Sequence, residues 1–322
     1  MSSKSRLHKR LEEAAAQRAT GHFAKAHDVL KSVEVDPDVS ALGHSTSIGL
    51  PRQLHSAFLK LAKAERNSIQ KIGYQYHLVP PIDILNKYAT FSIAERKHIT
   101  QVNRQSIPRH IHQIWIGPKS APMGTTAWKN HALAYGYEYH LWREESLREL
   151  GVEDNTAYRH MLSIGDMPGA VDVARYLVLE RFGGIYLDCD WYPVRDDLSF
   201  HDLLPMTGLT IMAEDIPRKT GKGCTLLANS FIAAPASHPV FTRLLASLAD
   251  ITTELPKAPA WWSTGPLIFT LMCRGGSVTL ADAELVAGGL PQETSFSEVK
   301  DWCKQKSQTD SGLLLAWRSW ER

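Results

Sequence analysis

Residues 170–190 read AVDVARYLVLERFGGIYLDCD, a helical run that passes through a glycine pair into a β-type run and stops at two aspartates one residue apart. Ala170, Val173, Ala174, Leu177 and Val178 fall at i, i+3, i+4, i+7 and i+8, a helical packing stripe, and Ile185, Tyr186 and Leu187 form the strand. Other β-type runs are IPRHIHQIWIG at 107–117, which follows a break and stops at Gly117 and Pro118, YEYHLW at 137–142, GLTIMA at 208–213 and NSFIAA at 229–234. Helical patterns lie between them. Strands alternating with helices predict an α/β layer architecture whose central sheet is mostly parallel.

The first hundred residues differ. Residues 4–34 have apolar spacing near 3.6 with a break at Thr20 and Gly21, which predicts a helix pair. A Gly-, Pro- and Ser-rich stretch follows, then one further amphipathic helical segment at 54–72. A single tetratricopeptide-like pair cannot bury its own face, and no second copy follows it. The expected division is a helical N-terminal region, 1–104, and an α/β domain, 105–322.

Composition narrows the function. With 322 residues, 43% of them hydrophobic, the chain can fill one large core or two ordinary ones. A net charge of +2 without single-sign blocks gives no reason to expect nucleic acid as a partner. Cys189, Cys224, Cys273 and Cys303 are widely spaced, which argues against a zinc knuckle or disulfide framework and for a reducing compartment. The N-terminus is basic and then amphipathic, without the apolar core of a signal peptide. No run of about 18 apolar residues is present, so no membrane span is expected. A cytoplasmic protein is the expectation, with peripheral membrane contact through Lys4, Arg6, Lys9 and Arg10 as a variant of it.

Ligands of open α/β sheets gather at the carboxyl ends of the strands, where Asp188 and Asp190 stand. Residues two apart in an extended or turning segment can direct both carboxylates to one region. They then offer hard oxygen ligands to Mg²⁺ or Mn²⁺, with phosphate oxygens completing the shell. An isolated Asp-x-Asp also ends strands and solvates turns. Upstream, Asp172 and Arg175 lie three apart on a helix that is otherwise apolar, Val171, Tyr176 and Leu179 included. A charged pair there is expected to be drawn into a site rather than left in water.

The combination VDVARYLVLERFGGIYLDCD, with IPRHIHQIWIG and YEYHLW before it and NSFIAAPASHP and STGP after it, resembles the DXD-containing family 32 glycosyltransferases. That group and its relatives include fungal initiating mannosyltransferases, bacterial polysaccharide enzymes and the catalytic domains of clostridial glucosylating toxins. The resemblance spans about 105–322 and leaves out the helical N-terminus. It implies a GT-A fold, a nucleotide-sugar donor (UDP- or GDP-linked), a glycan, lipid or protein acceptor, Mn²⁺ or Mg²⁺ as cofactor, and retention at the anomeric carbon. By the same resemblance Asp190 binds the metal directly, while Asp188 meets the ribose and reaches the metal through water. Tyr186 and Asn229 line the donor pocket, Thr264 flanks it, and Trp115 stacks on the base. Asp172 and Arg175 hold the transferred sugar.

At the C-terminus LLLAWRSWER keeps Ser319 and Trp320, expected as a flap over the donor, but lacks the histidine that many members carry there. Glu321 is the candidate replacement as metal ligand. No separate nucleophile is evident, so same-face substitution is expected, the leaving phosphate helping to deprotonate the acceptor. Two other readings stay open: an aspartyl-phosphate phosphohydrolase, whose motif wants Thr or Val where Tyr192 stands, and a non-catalytic sugar-binding or scaffold protein.

Overall fold

The computed structural model describes residues 2–46, 48–77, 88, 90–214, 226–256 and 258–319. The chain forms two compact units, one of residues 1–80 with 215–226 and one of 81–214 with 227–322.

The first unit is helical: α1 (Ser3–Ala19), α2 (Phe23–Glu34), α3 (Arg52–Ala64) and α4 (Ser68–Tyr76). Leu7, Leu30, Val33, Leu54 and Phe58 form its core. The segment expected as one helix at 54–72 is two. Arg66 takes a positive φ of 57°, and the Asn67 side chain caps α4 by accepting from Gln70 N at 3.1 Å. Of the four basic residues considered for membrane contact, Arg6 and Arg10 pair with Asp36 at 2.6 and 3.2 Å.

The second unit includes α5 (Ile93–Val102), which lies on the N-terminal side of the boundary expected at 104. Ile99 and Val102 are buried. Asn103, just after α5, accepts from Leu209 N at 3.0 Å and lies 3.0 Å from His238 Nε2. A chain starting at residue 81 is therefore expected to keep cooperative melting by circular dichroism. One starting at 105 is expected to lose it, because it discards α5 and Asn103 together. Equal melting of both would remove α5 from the core.

A six-stranded sheet runs through this unit: β1 (His110–Ile114), β2 (Glu138–Trp142), β3 (Gly184–Leu187), β5 (Thr210–Ala213), β6 (Leu227–Ala234) and β7 (Thr279–Leu280), ordered β2-β1-β3-β6-β5-β7. β1 is parallel to β2 and β3, β5 is parallel to β7, and β6 is antiparallel to both its neighbours. The result is a mixed α/β layer with a mostly parallel sheet, as the alternating pattern predicts. Helix α6 (Met123–Ala134) covers one face with Trp128. Helices α7 (Met167–Phe182), α8 (Pro239–Glu254) and α9 (Pro266–Cys273) cover the other, over Tyr186 and Ile232. A small second sheet joins β4 (Trp191–Pro193), β9 (Leu314–Ala316) and β8 (Val286–Gly289).

Helix α7 and strand β3 are separated by Gly183 alone. Its φ is +63°, and a Cβ there would lie 2.5 Å from Ala236 N and 2.8 Å from Ala234 O. Only glycine fits so tight a reversal, which turns α7 back along β3 and sets its first turns beside the strand's carboxyl end.

His112 on β1 is buried. Its Nε2–H donates to Gly183 O at 2.9 Å, and Nδ1 accepts from Trp142 Nε1 at 3.1 Å, which closes the other end of the same turn with a neutral imidazole. Burial lowers its pKa to about 3.

Candidate active site at the carboxyl end of β3

Asp172 and Arg175 lie on α7 and are both buried. Arg175 Nη2 is 3.1 Å from Asp172 Oδ1 and 3.1 Å from Asp188 Oδ1, and Nη1 donates to Asn229 O at 2.6 Å. Its guanidinium lies over the Tyr186 ring, 4.6 Å from the centroid. Burial acts against the charged guanidinium, but Asp188, Tyr186 and Asp172 outweigh it and raise its pKa.

The Asp172 carboxylate is almost filled from within. Oδ1 takes Arg175 and the Asn229 Nδ2–H at 2.8 Å, and Oδ2 takes the Thr264 hydroxyl at 2.9 Å. A carboxylate has about four lone-pair sites, so roughly one is left, on Oδ2. Burial pushes the Asp172 carboxyl up to about 6, with Arg175 and the Thr264 hydroxyl acting against the rise. The Tyr176 hydroxyl closes the circuit: it accepts from Asn229 Nδ2 at 2.9 Å and donates to Thr264 O at 2.9 Å. α7, β6 and the loop before α9 are thereby locked around one carboxylate.

Asp188 follows β3 directly. Tyr186, expected to line a pocket, is fully buried, and its hydroxyl donates to Asp188 Oδ1 at 2.7 Å. Gln113 Nε2 donates to Asp188 O at 3.2 Å, and the Cys189 thiol donates to Ile114 O at 3.3 Å, so the turn is tied to the end of β1. Burial and Asp188 raise the Cys189 pKa and keep it a thiol. On the far side Trp191 O accepts from Trp128 Nε1 at 2.9 Å. A Cβ at Gly124 would lie 2.8 Å from the same oxygen, so α6 can reach this turn only with a glycine there.

Asp190 is different. Its Oδ1 is buried and has no hydrogen-bond partner among the described residues, while Oδ2 is 3.8 Å from Arg318 Nε. Burial first, and Asp188 second, push its carboxyl up to about 7. An orphaned hard oxygen beside a second carboxylate is a donor set whose chemistry fits a divalent cation. Among the described residues there is no group of three or more His, Cys, Asp or Glu that could hold a metal ion, so two carboxylates are what they offer.

The C-terminal segment reaches the site through β9. Ala316 pairs with Trp191, and Trp317 N donates to Asp190 O at 2.7 Å. Ser319 follows, half-buried. Trp320 and Glu321 lie outside the described residues, as does Cys224; Cys189, Cys273 and Cys303 are free thiols. Trp115, one residue past β1, is half-buried and donates from Nε1 to Lys119 O at 2.8 Å. Asp172, Arg175, Tyr186, Asp188, Asn229 and Thr264 thus share one bonded network. Asp190 and Ser319 adjoin it through the backbone, and Trp115 stands at the end of the next strand. Tyr176, Gln113, Trp128 and Arg318 went unread in the sequence. The first three look like ordinary core residues until the fold brings them together.

The fold thus sets an acidic turn at a strand's carboxyl end in a mostly parallel α/β sheet, the place where ligands of such sheets gather. Residues 125–206 match the family model described as glycosyltransferase sugar-binding region containing DXD motif, a span that includes Asp172, Arg175, Tyr186, Asp188 and Asp190. The chain is 27% identical over 173 residues to inositol phosphoceramide mannosyltransferase 3 of Schizosaccharomyces pombe (strain 972 / ATCC 24843); the match takes in 52% of this chain and 45% of that protein. The chain therefore spans less than half the length of that relative. A solved structure, PaToxG Glycosyltransferase, superposes with a TM-score of 0.42 at 20% identity, over 64% of this chain and 79% of that one. Residues 125–206 are thus similar to the DXD-containing sugar-binding region of glycosyltransferases, the resemblance that the central motif carries.

Proposed function

We propose that the protein is a metal-dependent retaining glycosyltransferase that moves a sugar from a nucleoside-diphosphate donor to a hydroxyl of a glycan, lipid or protein. The observation that carries this reading is the contrast between the two carboxylate environments inside the matched DXD region. Asp172 has about three of its four acceptor sites filled by fixed donors, whereas Asp190 Oδ1 is buried without a donor among the described residues.

Asp190 and Asp188 would hold Mn²⁺ or Mg²⁺, which when bound supplies neutralisation of the charge that develops on the leaving diphosphate. The protein's own work is positional. Arg175 cannot move without breaking three contacts, so it fixes Asp172 and Asp188 relative to each other. The remaining site on Asp172 Oδ2 accepts a hydroxyl of the transferred sugar. With its other sites filled, Asp172 is suited to binding rather than to nucleophilic attack. The acceptor then enters from the face the diphosphate leaves, and the configuration is kept. Ser319, which adjoins Asp190 through the Trp317 backbone, would contact the donor. No helix among the described residues is long and apolar enough to cross a membrane. The cytoplasmic face of a membrane suits a lipid or glycan acceptor.

The test incubates the purified full chain with a panel of UDP- and GDP-sugars, with Mn²⁺ or with chelator. Metal-dependent release of nucleoside diphosphate is expected for at least one α-linked donor, and NMR of the first product should show an α linkage. A β product would overturn retention. Donor binding without turnover on any donor would leave the sugar-binding scaffold reading in its place.

Trp115 gives a separate check. Unlike Trp128, which has no exposed surface, it is only half-buried at the mouth of the sheet. Trp115→Ala is expected to weaken donor binding by about 1–3 kcal/mol, with Trp115→Phe recovering part of the loss. Unchanged binding together with a stability loss of about 3–5 kcal/mol would mark it as a packing residue instead.

A further inference from the structure

Strand β9 places the residue after Trp317 opposite the aspartate turn by register rather than by a loose tail. Ala316 pairs with Trp191, and Trp317 N is bonded to Asp190 O. Trp317 is 2% exposed and stacks on Phe296, with centroids 6.3 Å apart and rings 10° from parallel, so the backbone is pinned at that point. The next side chain, Arg318, turns outward. It is 63% exposed, with Nε 3.8 Å from Asp190 Oδ2.

So open an ion pair adds little to stability. Its position is more telling. Among the described residues, the cations within ion-pair distance of Asp188 and Asp190 are Arg175 and Arg318. Arg175 is already committed to Asp172, Asp188 and Asn229. A guanidinium is a planar fork of five donors that matches two phosphate oxygens, and Arg318 holds it at the rim of the turn with one loose contact.

We propose that Arg318 is a tethered cation with two stations. Without ligand it faces Asp190 and competes with a divalent cation for that carboxylate. When a nucleoside diphosphate arrives with the metal, Arg318 leaves Asp190 and binds the diphosphate oxygens. Metal and diphosphate binding become coupled, since each removes the reason for Arg318 to stay where it is. The diphosphate half rests on the donor class proposed above; the competition with the cation does not.

The experiment is calorimetry on the full chain and its variants Arg318→Ala and Arg318→Lys, with Mn²⁺ binding also followed by electron paramagnetic resonance. The probes are Mn²⁺ alone, then UDP, GDP and UMP at saturating Mn²⁺. For Arg318→Ala, Mn²⁺ alone should bind at least threefold tighter. Whichever diphosphate the parent binds should bind about tenfold weaker, while UMP changes by less than twofold. Arg318→Lys should keep the parent's weak Mn²⁺ binding and recover only part of the diphosphate affinity, because it restores the charge but not the fork. If Arg318→Ala leaves both Mn²⁺ and diphosphate binding unchanged, the proposal is wrong. Tighter Mn²⁺ with unchanged diphosphate affinity would overturn the second station. Should the parent bind neither UDP nor GDP while Mn²⁺ still tightens in Arg318→Ala, the donor reading has failed and the competition stands.

Discussion

Asp190→Asn is expected to lower turnover by at least about three orders of magnitude, about 4 kcal/mol of barrier, while the metal-free protein melts no lower than the parent. The two halves have one cause. Asp190 Oδ1 is a buried oxygen without a donor among the described residues, placed two residues from another carboxylate, so in the empty protein its charge is a local liability. Such a group is expected at a site that trades stability for function. Asparagine keeps the shape and the backbone bond from Trp317 N to Asp190 O, and removes the negative charge that would hold the cation. Initial rates of nucleoside diphosphate release and melting curves without metal measure the pair. Turnover within about tenfold of the parent, about 1.4 kcal/mol, would mean that Asp190 is not the direct ligand.

The centre of this site could be read in the sequence because each signal was local. β3 is an apolar run closed by two aspartates, and a charged pair stands out on an apolar helix. β1, β5 and β6 were equally plain as β-type runs bounded by Gly, Pro or polar residues. What escaped the sequence depends on the third dimension. Tyr176 sits in a run that reads as packing, and its hydroxyl matters only because β6 brings Asn229 and the loop before α9 brings Thr264 to the same point.

The small sheet is another such case. Leu314–Ala316 is three residues long and could be taken for a tail, although its apolar run LLLAW was a strand signal of its own. Reading it as β9 would have placed Arg318 beside Asp190. The place of α5 depends on the third dimension in the same way. α5 has helical character like the segments before it, and its buried Ile99 together with Leu209 and His238, reached through Asn103, shows which core it serves. The break between α3 and α4 was legible in Asn67, an N-cap residue, but Arg66 in the left-handed region gave no warning.

Arg175→Met should have the largest effect on stability, about 3–5 kcal/mol, because it strands buried charge rather than simply deleting a contact. In the parent one guanidinium serves Asp172, Asp188 and the Asn229 carbonyl, and lysine, with a single ammonium, could not reach all three in that geometry. The variant leaves Asp172 buried with only Asn229 and Thr264 as donors. Asp172→Asn in the same chain should then recover part of the loss, so the two substitutions combine less than additively. The pH dependence has a definite sign. Asp172 already has a folded-state pKa raised to about 6 by burial against Arg175's opposition, and a raised carboxyl contributes stability that is present at low pH and lost as pH climbs through that value. Without Arg175 the largest opposing influence is gone and the pKa rises further. The deficit of Arg175→Met relative to the parent should therefore be greatest near pH 8 and smaller near pH 5, where Asp172 takes up a proton in the variant. Chemical denaturation of both proteins at the two pH values measures this. A deficit below about 1 kcal/mol, the scale of an exposed ion pair, or one equal at both pH values, would show that Arg175 does not hold the buried carboxylates together.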